Sequence, residues 1–209
     1  MKLMWALLLH LGMNMWSDRP ENGHRDHLVF DKTAWDETVD YAAKSGVNAI
    51  FIDIGDAIQY RSHPEIAVKG AWEISQMKAE IQRLKDMGIA LYPKLNFATT
   101  HDAWLGEYSR VVSSKAYYQV CKDLIHEVIE IFDTPDYFHL GMDEEWLSCP
   151  HYDFDCARYG KLYWHDLNYL LDCVREKGVK PWIWADPYWK FPEEFIREVG
   201  TDVVVNPWY

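Results

Sequence analysis

Three carboxylates stand in a row in the stretch "YFHLGMDEEW", residues 137–146: Asp143, Glu144 and Glu145. They follow an apolar, strand-like run and a glycine. Adjacent like charges repel, so their grouping calls for a chemical reason. A carboxyl held beside another carboxylate and walled by aromatic rings keeps its proton to higher pH, and can then serve as a general acid. Trp146, Trp182 and Trp184 are the candidate walls. In an extended strand Asp143 and Glu145 would point to one side and Glu144 to the other. A bend at the strand end lets two of the three converge on one pocket. The competing reading is a solvated acidic loop or a helix N-terminus, where the helix dipole favours acids.

Other polar residues also stand where apolar runs end: Asn14, Asp53 with Asp56, Asn96, Asp186 and Asn206. His139 lies four residues before Asp143 and shares a strand face with it, either within a site or as an interior histidine with its bonds satisfied. His101 and Asp102 are neighbours in a loop, open to ligand contact or to a purely local role. His10 fits the core or the mouth of the fold better than a ligand site. Asp53 and Asp56 suit hydroxyl recognition or turn capping. Lys94 inside a strand is costly unless paired, so an acid is expected beside it, Asp53 or Glu144.

The elements that must carry these residues alternate. Trp35, Thr38, Val39, Ala42 and Ala43 mark one face of a helix over about 32–45, closed by Gly46 and followed by the apolar run "VNAIFIDIGD". The same phrase returns with Ile74, Met77, Ile81 and Leu84 before "IALYPKLNF". It returns again with Tyr117, Val120, Leu124, Val128 and Ile131 before "YFHLGMDEE", and with Tyr163, Leu167, Leu170, Leu171 and Val174 before "VKPWIWAD". A short helix over 192–199 precedes "TDVVVNPWY". With the opening run this predicts six strands separated by five helices, a parallel α/β fold.

No GxGxxG or GxxxxGK phosphate turn is present, which counts against a doubly wound sheet. Polar residues after many different strands, long strand-to-helix loops and short returns instead predict a (β/α)8 TIM-type barrel with its site at the C-terminal ends of the strands. Such barrels take about 250 residues. The 209 residues read as one catalytic barrel domain of about six βα units, either truncated at its C-terminal end, incomplete, or completed by another chain, a second copy included.

Hydrophobic residues make up 49% of the chain and the formal net charge is −12. The chain is therefore globular, and nucleic acid and anionic membrane are poor partners. Eleven Trp and thirteen Tyr suit both core packing and stacking on sugar rings. None of the four cysteines forms CxxC. Cys121 and Cys173 fall on apolar helix faces, whereas Cys149 and Cys156 share a loop and would bridge only in an oxidising compartment. The opening "MKLMWALLLHLGMNMW" mimics a signal peptide, but has no small-x-small cleavage site and is short for a membrane span. It reads as a buried first strand. The compartment stays open, with a periplasmic or extracellular location ahead of a cytoplasmic one.

"FHLGMDEE" resembles the His-x-Gly-Gly-Asp-Glu signature at the fourth strand of glycoside hydrolase family 20, the β-N-acetylhexosaminidases and their relatives. Gly141 matches one family glycine, Met142 replaces the other, and the acid pair falls on Asp143 and Glu144. The resemblance implies that Glu144 protonates the glycosidic oxygen. Asp143 would orient the substrate's 2-acetamido group, whose oxygen is the nucleophile, a retaining route outside the usual two-carboxylate scheme. "LYPKLNFATTHDAW" resembles the third-strand region, with Lys94 and Asn96 standing where acids are common and His101 displaced by one residue. "PWIWADPYW" resembles the fifth strand and would bring Trp184 and Asp186 to the site. "VVVNPWY" resembles the sixth, with Trp208 as the tryptophan that packs on the sugar. The family's first-strand arginine has no clear counterpart, Arg19 being too far along, and its seventh- and eighth-strand residues have none in this chain. The resemblance thus implies a glycosidase acting on a terminal N-acetylhexosamine-type sugar, with no cofactor and no metal. His101, Asp102, His139, Asp53, Asp186 and Asn96 would bind hydroxyls or tune the acid. Two alternatives stay open: a divalent-metal sugar isomerase or aldolase, against which no HExxH-like spacing is found, and a carbohydrate-binding barrel without catalysis.

Overall fold

A computed structural model describes residues 3–15, 24–145 and 158–208. Six strands alternate with helices along them: β1 (Ala6–His10), β2 (Ala49–Asp53), β3 (Ala90–Lys94), β4 (Tyr137–His139), β5 (Lys180–Trp184) and β6 (Val204–Asn206). All neighbouring pairs are parallel and the sheet runs in chain order, β1 to β6. A doubly wound sheet reverses its strand order partway. Consecutive right-handed crossovers in one direction instead put every helix on the same side and curl the sheet, as in a barrel. Six strands make an open half-barrel.

The helices are α1 (Lys32–Lys44), α2 (Ile74–Asp86), α3 (Lys115–Ile131), α4 (Lys161–Arg175), α5 (Asp186–Lys190) and α6 (Pro192–Glu198). The first four follow the predicted apolar stripes: Trp35, Val39 and Ala42 of α1, and Met77 and Leu84 of α2, are buried. Asp31 caps α1 by accepting from the amides of Thr33 and Ala34, and Gly46 follows it at φ 85°. Helix α5 departs from expectation. Six helices are described where five were read, because five residues are too short for a periodic stripe and Pro187 signals only a first turn.

Strand alternation separates two cores. Ile50, Ile52, Leu91 and Ile183 face the helices and pack with Val39, Leu84, Leu124, Val128 and Leu171. Ala49, Phe51 and Tyr92 face inward, with Leu8, Tyr137 and Trp182 against them. Trp182 therefore belongs to the inner core, its ring 4.7 Å from that of Phe51. Cys121 and Cys173 are buried free thiols, and burial pushes both of their pKa values up. Trp146, Arg19, and Cys149 with Cys156 lie outside the described residues. No described helix is long and apolar enough to cross a membrane.

Above the inner core the lining becomes polar. His10, Asp53, Lys94 and His139 stand side by side in register across β1 to β4. Lys94 is 2% exposed and its ammonium pairs with Asp53, the first of the two acids expected for it. Removing one member of such a pair strands a buried charge, whereas removing both does not. Lys94→Met is expected to destabilise the protein by roughly 3–5 kcal/mol in denaturant titrations, and the double variant Asp53→Leu/Lys94→Met to recover most of that loss.

Candidate active site

Strand β4 ends at His139, and the next five residues build the site. Gly141, Met142 and Glu144 have φ of 73°, 71° and 53°. A left-handed conformation costs a non-glycine residue about 1–2 kcal/mol, so Met142 and Glu144 must be held there by their surroundings. Asn96, just beyond β3, supplies much of that hold. Its carbonyl oxygen accepts from the amides of Met142 (3.3 Å) and Ala98 (3.1 Å), and its NH2 donates to Asp143 Oδ1 at 2.8 Å. The Asn96 main-chain carbonyl accepts from the indole of Trp104 at 2.8 Å. The Thr100 hydroxyl donates to the Asp143 carbonyl at 3.2 Å, and the Glu144 amide donates to Asp186 Oδ1 at 3.2 Å. Gly141 is obligatory beside this clamp, since a Cβ there would sit 2.0 Å from Asn96 Oδ1.

The bend sends the three acids in two directions. Asp143 and Glu144 both approach His101, whose Nε2 lies 3.9 Å from Asp143 Oδ2 and 3.7 Å from Glu144 Oε2. Their side chains stay partly accessible, 18% and 32%, while that of His101 is buried at 6%. The Thr100 hydroxyl has one proton, given to the Asp143 carbonyl, so it accepts from His101 Nδ1 at 2.9 Å. Glu145 turns the other way and is buried against Arg158.

The remaining expected residues take several roles. Asp186 links the acid loop to β6: its second oxygen accepts from the Trp208 indole at 2.6 Å. Burial raises the Asp186 pKa and the nearby Asp143 charge adds to this, while the bonds from Trp208 and Glu144 oppose it. Trp208 is 40% exposed, and the Trp184 ring lies 4.5 Å from that of His139. His139 is buried, and its Nδ1 accepts from the Gly141 amide at 2.9 Å. Burial, and then the charge of Lys94, hold its pKa well below the usual histidine value, so it is a neutral support. Asp53 is engaged by Lys94 and lies 3.5 Å from His10 Nδ1. Asp102 is buried beside α3, where its charge is felt by Tyr117 and Cys121. Among the described residues no three His, Cys, Asp or Glu are grouped as a metal ion would require. Sequence reasoning passed over Thr100, Trp104 and Arg158, and it named Asn96 for binding hydroxyls or tuning the acid without seeing its hold on the β4 loop. Nothing in the spacing marks Arg158, which precedes α4 and meets Glu145 only in the folded chain.

Asp56, in the loop just beyond β2, is buried and accepts from the Asn14 side-chain NH2 at 2.6 Å. Burial raises its pKa from 3.8 to about 6.

Residues 6–209 match the sequence profile of Glycosyl hydrolase family 20, catalytic domain. No curated protein matches the chain. Among solved structures, the GH20 β-N-acetylhexosaminidase of Streptomyces coelicolor A3(2) superposes with a TM-score of 0.70 at 12% identity, over 97% of this chain and 42% of that one. The GH20 exo-β-N-acetylglucosaminidase of Vibrio harveyi gives 0.66 at 16% identity, over 88% and 36%. The chitobiase of Flavobacterium johnsoniae gives 0.66 at 17% identity, over 99% and 34%. The chain thus spans less than half the length of each of these relatives, and at these identities they establish its barrel fold.

Two outcomes follow from the geometry. Gly141→Ala should melt at lower temperature, by at least the ~1–2 kcal/mol of a left-handed alanine, and should displace the Asn96 clamp. Because Asp56 has a raised folded pKa, its contribution is fully present below pH 3.8 and is lost as pH rises through about 6. The stability of Asp56→Asn relative to the native protein should therefore rise between pH 4 and 7, by an amount on the order of 3 kcal/mol. A difference that stays flat across that range would contradict the assignment.

Proposed function

Because the chain belongs to glycosyl hydrolase family 20, we propose that it is a glycosidase domain that removes a terminal N-acetylhexosamine-type sugar, with Glu144 as proton donor and Asp143 as its partner. The observation that carries this reading is the convergence of the two partly accessible carboxylates on the buried imidazole of His101. Glycosidic cleavage needs a proton on the departing oxygen and support for the positive charge that develops at the anomeric carbon. Glu144 is the more exposed of the pair and has its backbone fixed by Asp186, which suits a donor that substrate can reach. Asp143 receives the Asn96 NH2 on one oxygen, so its second oxygen is aimed. That oxygen can accept from the N–H of a 2-acetamido group and press the amide oxygen toward the anomeric carbon. The nucleophile then belongs to the substrate, and the product retains its configuration. Trp184 and Trp208 supply indole faces for the sugar, while Asp53, His139 and Asn96 act through the residues they hold.

The partner in this reading is a carbohydrate. The open edges of the half-barrel, with Trp5 and Leu7 exposed along β1, support closure by further polypeptide, and a second copy of the chain would be one way to supply it.

The test is hydrolysis of aryl 2-acetamido-2-deoxyglycosides by the full-length protein. Glu144→Gln should lower the rate by about 10²–10⁴-fold, and the corresponding 2-hydroxy glycosides should be far poorer substrates. Equal rates for native protein and Glu144→Gln would remove the proton donor.

A further inference from the structure

The third acid of the triplet takes no part in the reading above, yet it is the most deeply engaged. Glu145 Oε1 accepts from Arg158 Nε at 2.6 Å. Its Oε2 accepts from Arg158 Nη2 at 2.6 Å and from the Thr99 amide at 2.9 Å. Both side chains of the pair are 1% exposed. Arg158 reaches further: Nη2 donates to the Phe97 carbonyl at 2.7 Å, and Nη1 lies 3.5 Å from Asp166 Oδ2 on α4. Asp166 is fully buried and accepts from the hydroxyls of Ser113 and Tyr118, each at 2.5 Å. A bidentate, two-ended guanidinium of this kind fixes direction as well as distance.

The placement of this cluster gives it a function. Asn96 and Thr100 grip Asp143, and Arg158 and Thr99 grip Glu145. Glu144 lies between two fixed neighbours in a left-handed conformation that it would not keep alone. A buried ion pair is a poor source of net stability, since apolar residues of similar volume hold a fold as well or better. What it offers is a defined direction. If position 145 slackened, residue 144 could relax toward ordinary backbone angles and swing its carboxyl away from His101.

We propose that Arg158, acting through Glu145, is a positioning residue for the proton donor. This rests on the assignment of Glu144 made above, and the test is built to separate the two. Full-length native protein, Glu145→Gln and the apolar double variant Glu145→Met/Arg158→Met are compared on two aryl 2-acetamido glycosides. One has a phenol leaving group, which needs the proton; the other has a dinitrophenol leaving group, which departs without it. The double variant removes both charges together, so it guards against a loss that only reflects unfolding. A misplaced donor should lower kcat on the phenyl substrate by about 100-fold, the scale of an ångström-sized misplacement. The dinitrophenyl rate should fall only a few-fold, and KM should change little for both. Equal proportional losses on the two substrates would overturn the proposal, as would unchanged rates in both variants. Amide hydrogen exchange gives a second readout that does not depend on turnover. The proposal requires the Met142 and Glu144 amides to lose protection in both variants while those of β2 and β3 keep theirs. Native protein inactive on both glycosides would reject the glycosidase reading, and the exchange data would still decide whether Arg158 holds the loop.

Discussion

The site depends on one constraint, the close approach of the Asn96 carboxamide to the backbone of the β4 loop. That contact exists only because residue 141 has no side chain. From it follow the turn at Gly141 and Met142, the fixed rotamer of Asp143 and the emergence of Glu144 beside it. Asn96 is itself fixed by Trp104 and by its bond from Ala98, so the hold passes from one βα loop to the next. A barrel suits this kind of construction, because neighbouring strands present their loop ends to one another at a constant spacing.

Buried charge is distributed on the same plan. Lys94 with Asp53 sits at the C-terminal ends of β3 and β2, above the inner core, and Arg158 with Glu145 and Asp166 sits behind the acid loop. Both groups are almost fully enclosed, and each charge is met by an opposite one. They leave Asp143 and Glu144 as the partly accessible carboxylates that stand together beside His101. Three adjacent acids are thereby tolerated: Glu145 is neutralised by a guanidinium, Asp143 is hydrogen-bonded by an amide, and Glu144 stays the most accessible of the three, 3.7 Å from His101.

Much of this was legible in the chain. The 3.6-residue stripes of α1 to α4 and the apolar runs after their closing turns translate directly into elements, because burial on one face leaves a periodic trace. Absence of a phosphate turn, together with polar residues after many strands, separated a barrel from a doubly wound sheet, and the sequential strand order agrees. That Lys94 needs an acid beside it, Asp53 or Glu144, is legible because a buried ammonium has few ways to be satisfied, and the fold selects Asp53. What escaped were contacts between residues far apart in sequence. Asn96 reaches Met142 across 46 positions, and Trp182 packs into the inner core against Phe51, a cross-strand contact that single-strand patterns do not record. Helix α5 was missed because it is little more than one turn, and the separate fate of Glu145 because alternation along a strand says nothing of a left-handed bend.

The central claim is that Asp143 and Glu144 act as a pair on a sugar whose own acetamido group attacks. The most direct measurement is a crystal structure of the full-length protein with a thiazoline-fused hexosamine, a stable mimic of the ring that such an attack would form. The ring nitrogen should lie within hydrogen-bond distance of Asp143, with the Glu144 carboxyl at the anomeric carbon's exit face and the sugar against the indoles of Trp184 and Trp208. A ligand bound away from both carboxylates, or seated with its nitrogen turned from Asp143, would contradict the account.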